Sequence, residues 1–291
     1  MARGSRARKP TSPADVRRHV IETAADKISA KLDKSAAKLV DKSTKHAEAL
    51  DRLAAHLEAI DVWTRTEPGA RKPRLSRDDI AAAAIRIADA EGFAAVSMRR
   101  IALELDAGTM TLYHYVRTKD ELLTLVVDAF LGEVVLPPGQ TLPRNWRAAI
   151  TLIACRSRDA LRRHPWILDI NDDPNIGPNA MRHFDQSWQA LASLDAGFDD
   201  KLDLAFAVDE YVFGFCLLER NNVVEEEDSS EMLEYVRSRL VEDKHPALDA
   251  MVAEMGLETA WSRIRAHGRD AGRFDRNLAR LLAGFDASLG G

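Results

Sequence analysis

The sequence predicts an all-α protein, and three observations support this fold class. Apolar residues recur every three or four positions through most of the chain, which is the spacing of one helix face. No segment alternates apolar and polar residues as a half-buried strand would. Apolar residues make up 46% and charged residues 30% of the 291 positions, so the chain can bury a core and is not disordered as a whole.

The amino-terminal part of the chain is predicted to be an extension in front of the folded domains. Residues 1–12 are rich in Arg, Gly, Ser and Pro, which is typical of a flexible basic tail. Residues 13–63 place apolar or small side chains at alternating intervals of three and four. This spacing favours either a weak coiled coil or a lone surface helix. Residues 64–74 contain two prolines and a glycine and are predicted to be a linker.

Residues 75–134 are predicted to form one domain of short helices with clear signals at their ends. Ser76 and Asp79 form a capping-box pattern, and Gly92 stops the helix that follows them. Ser97 is in turn a good cap for the next helix. The predicted helices cover residues 76–90, 98–104, about 109–115 and 119–134.

The second and third of these helices have the proportions of a helix-turn-helix pair. A four-residue turn separates them, and the apolar side chains of Ile101, Leu105, Leu112 and Val116 can lock them together. In such a pair the first helix crosses the DNA backbone and the second lies in the major groove. Arg99, on the first helix, could reach a guanine edge, which is the commonest specific contact in that groove.

The carboxyl half, residues 135–291, is also predicted to be helical. Charge differs between the ends of the chain: residues 1–70 carry 14 basic and 10 acidic side chains, whereas residues 134–291 carry 18 and 26. A polyanion is therefore expected to meet the amino-terminal side. The predicted helices of the carboxyl half lie near 144–163, 178–194, 199–222, 230–242, 245–267 and 271–288.

Two segments resemble the amino-terminal DNA-binding domain of the TetR family of transcriptional repressors. They are LSRDDIAAAAIRIADAEGFAAVSM and SMRRIALELDAGTMTLYHYVRTKDELL. The family's run of hydrophobic, Ser/Thr, x, Arg, x, hydrophobic, Ala falls on 96–102. Its run of Thr-Leu-Tyr-x-Tyr/His-hydrophobic-x-x-Lys falls on 111–119. One departure is Asp-Ala-Gly at 106–108, where many members have Gly-Val after the leucine.

The resemblance implies a homodimer that binds a pseudo-palindromic operator in double-stranded DNA. Carried over position by position, the family's operator contacts fall on the helix pair and on the start of the helix after it. The arginines of the linker are added because it delivers them to the DNA backbone. One of the two tyrosines could equally well be a packing residue. The predicted DNA-binding residues are Arg71, Arg74, Ser97, Met98, Arg99, Thr109, Met110, Thr111, Tyr113, His114, Tyr115 and Lys119.

The carboxyl half resembles the regulatory domain of the tetracycline-repressor type. The resemblance is carried by LRRHPWI (161–167), GPNAMRHFDQSWQAL (177–191), AVDEYVFGFCLLE (207–219) and FDRNLARLLAGFDA (274–287). In that subfamily two carboxyl-terminal helices pair with their copies in a four-helix bundle. By analogy, helices 199–222 and 271–288 are expected to form the homodimer interface.

The same resemblance implies a small, largely apolar effector that binds the carboxyl half and releases the operator. Aromatic residues with a few polar groups could line its pocket. Alternatively, any one of these side chains could be an ordinary residue of the hydrophobic core. His164 and His183 form no recognisable metal pair with nearby carboxylates, so neither a metal nor a cofactor is expected. The predicted pocket residues are Cys155, His164, Trp166, Met181, Phe184, Trp188, Tyr211 and Phe215.

Several classes of protein are disfavoured by the sequence. The only cysteines are Cys155 and Cys216, which excludes a disulfide scaffold and suits a reducing cytoplasm, with the protein at the nucleoid. No stretch longer than ten residues lacks charged side chains, so no membrane span is expected. No nucleophile elbow or phosphate loop is present, so no catalysis is expected. Two alternatives stay open: a DNA-binding oligomeric scaffold or architectural protein without an effector, and an enzyme that uses a cavity in the carboxyl half.

Overall fold

The computed structural model describes residues 61–67, 75–170, 177–221, 229–242 and 245–289. All of them belong to one compact unit, Ala59–Gly291. Every regular element in the described ranges is a helix, so the predicted all-α class is confirmed. The predicted tail, most of the predicted extension, and Arg71 and Arg74 lie outside the described residues.

The helices follow one another with short connections. Two further segments, Phe93–Ala95 and Pro165–Asp169, form short 3-10 helices. We refer to α1–α4 as the helix-turn-helix unit and to α5–α11 as the carboxyl half. The α-helices are α1 Arg77–Glu91, α2 Met98–Glu104, α3 Thr109–Tyr113, α4 Lys119–Val134, α5 Trp146–Arg163, α6 Pro178–Ala190, α7 Phe198–Asn221, α8 Ser229–Glu242, α9 Pro246–Met255, α10 Leu257–Gly268 and α11 Arg273–Leu289.

Three of the four helices in the helix-turn-helix unit start at a side-chain cap, and the sequence predicts the caps at Ser76 and Ser97. The Ser76 hydroxyl accepts a hydrogen bond from the backbone N–H of Asp79, whose carboxylate accepts one from the backbone N–H of Ser76 in return. Ser97 caps α2 by accepting from the backbone N–H of Arg100 at 3.2 Å. Thr118 caps α4 in the same way. Each cap satisfies a backbone donor that the first turn of a helix leaves unpaired.

One predicted helix is wrong. The segment 245–267 forms two helices, α9 and α10, which are separated at Gly256. Gly256 has φ 80° and ψ 150°, which is outside the helical region and which side chains with a Cβ rarely adopt. The glycine was the sequence signal for this break, because this backbone conformation is almost confined to glycine.

Helix α4 connects the helix-turn-helix unit with the carboxyl half. It packs along α1 and also along α5 and α6. Its apolar side chains Leu122, Leu125, Val126 and Phe130 are buried in a core that continues from one part to the other. The helix-turn-helix unit and the carboxyl half therefore share one buried core.

Helices α7 and α11, which correspond to the predicted dimerisation helices, pack against each other and against the rest of the carboxyl half. Their inner sides bury Leu204, Val208 and Leu278. The outer side of α7 exposes Phe206 and Leu218 to solvent. No helix of the described residues is both long enough and apolar enough to cross a membrane.

Candidate DNA-binding interface and domain junction

The helix pair α2 and α3 is held in place by a small core and a tight turn. Ile101, Leu112 and Val116 are fully buried. Helix α2 ends in a Schellman arrangement, in which the N–H of Ala107 donates to the carbonyl of Ala102 at 2.9 Å. Asp106 stands at the left-handed position of this turn with φ 47°. Aspartate tolerates this conformation better than most side chains do, so the departure from the family pattern keeps the turn.

Most of the predicted DNA-binding residues are accessible at the surface of the helix pair and at the start of α4. Met98 and Thr109 are half-buried, and Ser97 is exposed while it caps α2. The other accessible candidates are exposed. They are Arg99, Met110, Thr111, Tyr113, His114 and Lys119.

Arg99 differs from its neighbour Arg100 in its partners. Arg100 donates hydrogen bonds to Glu91 at 2.7 Å and to Glu104 at 3.1 Å, so its charge is matched within the domain. Arg99 is exposed and makes no hydrogen bond or ion pair with another described residue. Its five N–H donors are therefore available to an external acceptor, and a guanidinium fits a guanine edge or a phosphate.

Tyr115 is the predicted DNA-binding residue that the structure places elsewhere. Its side chain is 6% exposed and belongs to the core, because it follows the last turn of α3 where the chain turns back towards α1. Its carbonyl oxygen accepts hydrogen bonds from Arg65 at 3.1 Å and from Arg77 at 3.3 Å. Of the two tyrosines, Tyr113 is the exposed one and Tyr115 is the packing residue.

A segment in front of α1 fastens the end of the helix pair. Residues 61–64 are helical and Val62 is fully buried. The Arg65 guanidinium donates to both carboxylate oxygens of Glu121, at 2.9 Å each, and the two side chains are 14% and 3% exposed. Arg65, predicted to be part of the linker, therefore contacts the start of α4. No local pattern signals this pair, because its members are 56 positions apart.

The charge of Glu121 is stabilised despite its burial. Burial raises the pKa of its carboxyl group, but the hydrogen bonds from Arg65 and from the backbone N–H of Arg117 outweigh it and lower the pKa below the usual range. The Arg117 bond is 2.7 Å long. A charged, nearly buried group with three donors fixes the loop between α3 and α4.

The ring contacts of the predicted pocket residues fall into three groups. In the first group, Trp166 contacts both His164 and Phe93. In the second, Trp188 contacts both Phe184 and Phe198. In the third, Tyr211, Phe215 and Phe274 contact one another. Met181 and Phe184 are exposed on α6, and Cys155 is half-buried on α5.

His164 and Trp166 lie at the junction between the carboxyl half and the helix-turn-helix unit. The His164 ring has Nδ1 2.7 Å from Asp89 and Nε2 3.1 Å from Glu133. The Trp166 indole N–H donates to the same Asp89 oxygen at 2.8 Å, and its ring stacks on Phe93. Asp89 is on α1, so these two residues tie the carboxyl half to the first helix of the DNA-binding unit. Sequence reasoning missed Asp89 and Glu133, which look like ordinary surface acids.

A cavity of about 510 Å³ opens beside this junction, between α1 and α4. Of the predicted pocket residues, His164 is the one in its lining. Sequence reasoning missed its other lining side chains, although an aspartate within the apolar run LLTLVVDAFL is a signal of a buried polar site. That residue, Asp128, is 3% exposed and accepts hydrogen bonds from the backbone N–H groups of Asn179 and Ala180.

The cysteines are not activated for chemistry. Burial raises the pKa of the Cys155 thiol, and it raises the pKa of the Cys216 thiol to about 11. Both therefore favour the neutral thiol at neutral pH, which is a poor nucleophile. Within the described residues no group of three or more His, Cys, Asp and Glu side chains has the arrangement of a metal site.

Two family models match the chain. One is "Bacterial regulatory proteins, tetR family", over residues 80–126, and the other is "Tetracyclin repressor-like, C-terminal domain", over residues 138–289. A curated relative, the HTH-type transcriptional regulator of Saccharopolyspora erythraea, is 35% identical over 235 residues, which are 79% of this chain and 92% of that protein. The HTH-type transcriptional repressor DrrR1 of Streptomyces coeruleorubidus is 38% identical over 166 residues, 56% of this chain and 60% of that protein.

Solved structures resemble this one over both parts. Apo ActR of Streptomyces coelicolor has a TM-score of 0.59 and 27% identity, and the match covers 75% of this chain and 98% of that chain. ActR in complex with actinorhodin has a TM-score of 0.59 and 27% identity over 74% of this chain and 97% of that one. The family models, the curated relatives and the helix pair agree. The chain belongs to the TetR family of DNA-binding transcriptional regulators.

Proposed function

We propose that this protein is a ligand-responsive repressor that binds a pseudo-palindromic DNA operator as a homodimer. The observation that carries the proposal is the accessible side of α2 and α3, where Arg99 has no partner among the described residues and Met110, Tyr113 and His114 are exposed. Lys119 at the start of α4 is placed for a phosphate. A repressor of this kind acts at the nucleoid in the cytoplasm.

The proposed homodimer forms through α7 and α11. The exposed side chains of Phe206, Phe213 and Leu218 on α7 would be buried in a four-helix bundle of two copies. Interface cores are enriched in aromatic residues for this reason. A symmetric dimer places two recognition helices on one side of the DNA, which is why a symmetric operator is expected.

The proposed effector is small and largely apolar and binds in the carboxyl half. The ActR complex with actinorhodin supports a response to a small molecule, since that structure is similar to this one over most of its length. The exposed rings of Phe184 and Phe198, which both contact Trp188, offer an apolar surface. An effector can shift the equilibrium between an operator-binding and a non-binding conformation only by as much as its affinities for the two conformations differ.

Substitution of one arginine tests the DNA-binding proposal. Arg99→Ala should weaken operator binding by roughly 1–3 kcal/mol per half-site and relax the preference at one base pair. Arg100→Ala is the matched control. It removes the same charge at the next position, but Arg100 already pairs with Glu91 and Glu104. Fluorescence anisotropy with a labelled operator measures both. Equal losses in the two variants would count against a reading role for Arg99.

A further inference from the structure

The cavity between α1 and α4 is large enough for a small molecule. Its volume of about 510 Å³ lies within the range of small-ligand pockets. Helix α1 contributes Asp78 and Asp89 to its lining, and α4 contributes Asp128 and Glu133. Trp63, from the segment in front of α1, also lines it. The cavity is thus bordered by α1 on one side and by α4, the helix that leads to the carboxyl half, on the other.

The lining carries more negative than positive charge. Its basic side chains are already engaged: Arg86 pairs with Glu104, and His164 lies between Asp89 and Glu133. Asp78, by contrast, makes no hydrogen bond or ion pair with another described residue.

Asp128 adds a second carboxylate without an opposite charge. It accepts hydrogen bonds from Asn179 and Ala180. Burial raises the pKa of Asp128, and the negative charge of Asp78 adds to this rise. A cation between these two carboxylates would relieve their repulsion.

Trp63 gives the cavity an aromatic wall. Its ring lies so close to Gly177 that a Cβ at this position would collide with the ring and with the Asp128 carboxylate. The indole N–H of Trp63 is buried and has no hydrogen-bond partner. An aromatic ring beside carboxylates is the arrangement that proteins use to hold ammonium groups.

We propose that this cavity binds a small organic cation, a protonated amine. The ammonium group lies between Asp78 and Asp128, and the apolar part of the ligand packs on Trp63 and Ile85. The ligand would hold α1 at a set distance from α4 and so position the helix pair. This regulatory consequence rests on the proposed DNA-binding function, whereas binding of the amine does not.

Calorimetric titration of the full chain with matched pairs of compounds tests the site. The amines are 2-aminoethanol, putrescine, benzylamine and tryptamine, and each is paired with the alcohol that replaces its ammonium group by a hydroxyl. At least one amine should bind saturably, once per chain, with its alcohol about tenfold weaker or more, because a charge-assisted hydrogen bond is lost. Failure of every amine to bind at millimolar concentration, or equal binding of amine and alcohol, overturns the proposal.

Substitution of two aspartates in similar positions tests whether the amine binds in this cavity. Asp78→Asn should weaken the amine about fivefold or more, and Asp120→Asn should leave it unchanged. Both residues are exposed in the first turn of a helix, but Asp120 is not part of the cavity lining. Neither substitution removes a core contact, so both variants should fold. Unchanged affinity in Asp78→Asn would overturn the site.

Operator binding is measured separately with the best amine. A change in operator affinity that disappears in Asp78→Asn supports the regulatory role. Saturable amine binding with no effect on the operator overturns the regulatory role and leaves the site. Loss of operator binding in all samples, with the amine still bound, counts against the proposed function and leaves the cavity proposal intact.

Discussion

Arg65→Ala should destabilise the helix-turn-helix unit by about 3 kcal/mol. The substitution leaves Glu121, which is 3% exposed, without the guanidinium that now donates to both of its oxygens at 2.9 Å. Removal of one partner of a buried ion pair costs roughly 3–5 kcal/mol, because a buried charge stays uncompensated. The lower end applies here, since the backbone N–H of Arg117 still donates to Glu121.

Urea denaturation of the full chain measures this loss, and two further variants calibrate it. Arg86→Ala removes a pair with Glu104 whose members are 54% and 29% exposed, so it should cost less than about 1 kcal/mol. The double variant Arg65→Met/Glu121→Leu should recover most of the loss, because it removes both charges and keeps the volume. A cost of Arg65→Ala no greater than that of Arg86→Ala would refute the reasoning.

The same pair makes stability depend on pH. The pKa of Glu121 is lowered in the folded protein, so its contribution to stability is fully present above the unfolded pKa of about 4.3. The contribution is lost as the pH falls through the lower, folded pKa. Stability curves of the parent protein and of Arg65→Ala should therefore differ most at neutral pH and converge on acidification. Parallel curves from pH 7 to pH 3 would show that Glu121 is not stabilised by Arg65.

Substitutions at three further positions have definite expected results. Lys119→Ala should weaken binding to all DNA sequences alike and reduce the slope of log affinity against log salt by about one unit, which a potassium chloride series of anisotropy titrations measures. Asp106→Gly should keep or raise the melting temperature, whereas Asp106→Ala should lower stability by about 1 kcal/mol, because alanine is strained at the left-handed position. Gly177→Ala should cost roughly 1–3 kcal/mol, since its Cβ would displace Asp128 and Trp63; an unchanged melting temperature would contradict the packing described here.

Local signals in the sequence were sufficient for most helix boundaries. The caps at Ser76 and Ser97 act within four residues. The start of α4 at Lys119 was also predicted, although its cap, Thr118, was not named. The helix-turn-helix pair is also a local unit, so its motif could be recognised directly. Gly256 shows the limit of this approach, because helical periodicity on both sides concealed a glycine with positive φ.

Contacts between distant positions could not be predicted from these signals. The sequence predicts that the extension and the linker lie outside the folded domains. In the structure, however, Val62 is fully buried and Arg65 pairs with Glu121. The predicted pocket residues share an aromatic character that does not determine which rings meet. His164 is an example, since its partners Asp89 and Glu133 lie 75 and 31 positions away. Such pairs depend on how the helices pack, which periodicity alone does not specify.

Selection of genomic fragments with the purified full-chain protein tests the central claim most directly. A DNA-binding dimer of this family should enrich a small set of fragments that share an inverted repeat, and protection of both half-sites should be lost together in Arg99→Ala. The predicted result is enrichment of a symmetric site that the parent protein protects and that the Arg99→Ala variant does not protect. Enrichment of no symmetric site, or equal protection by the parent and Arg99→Ala, would contradict the account.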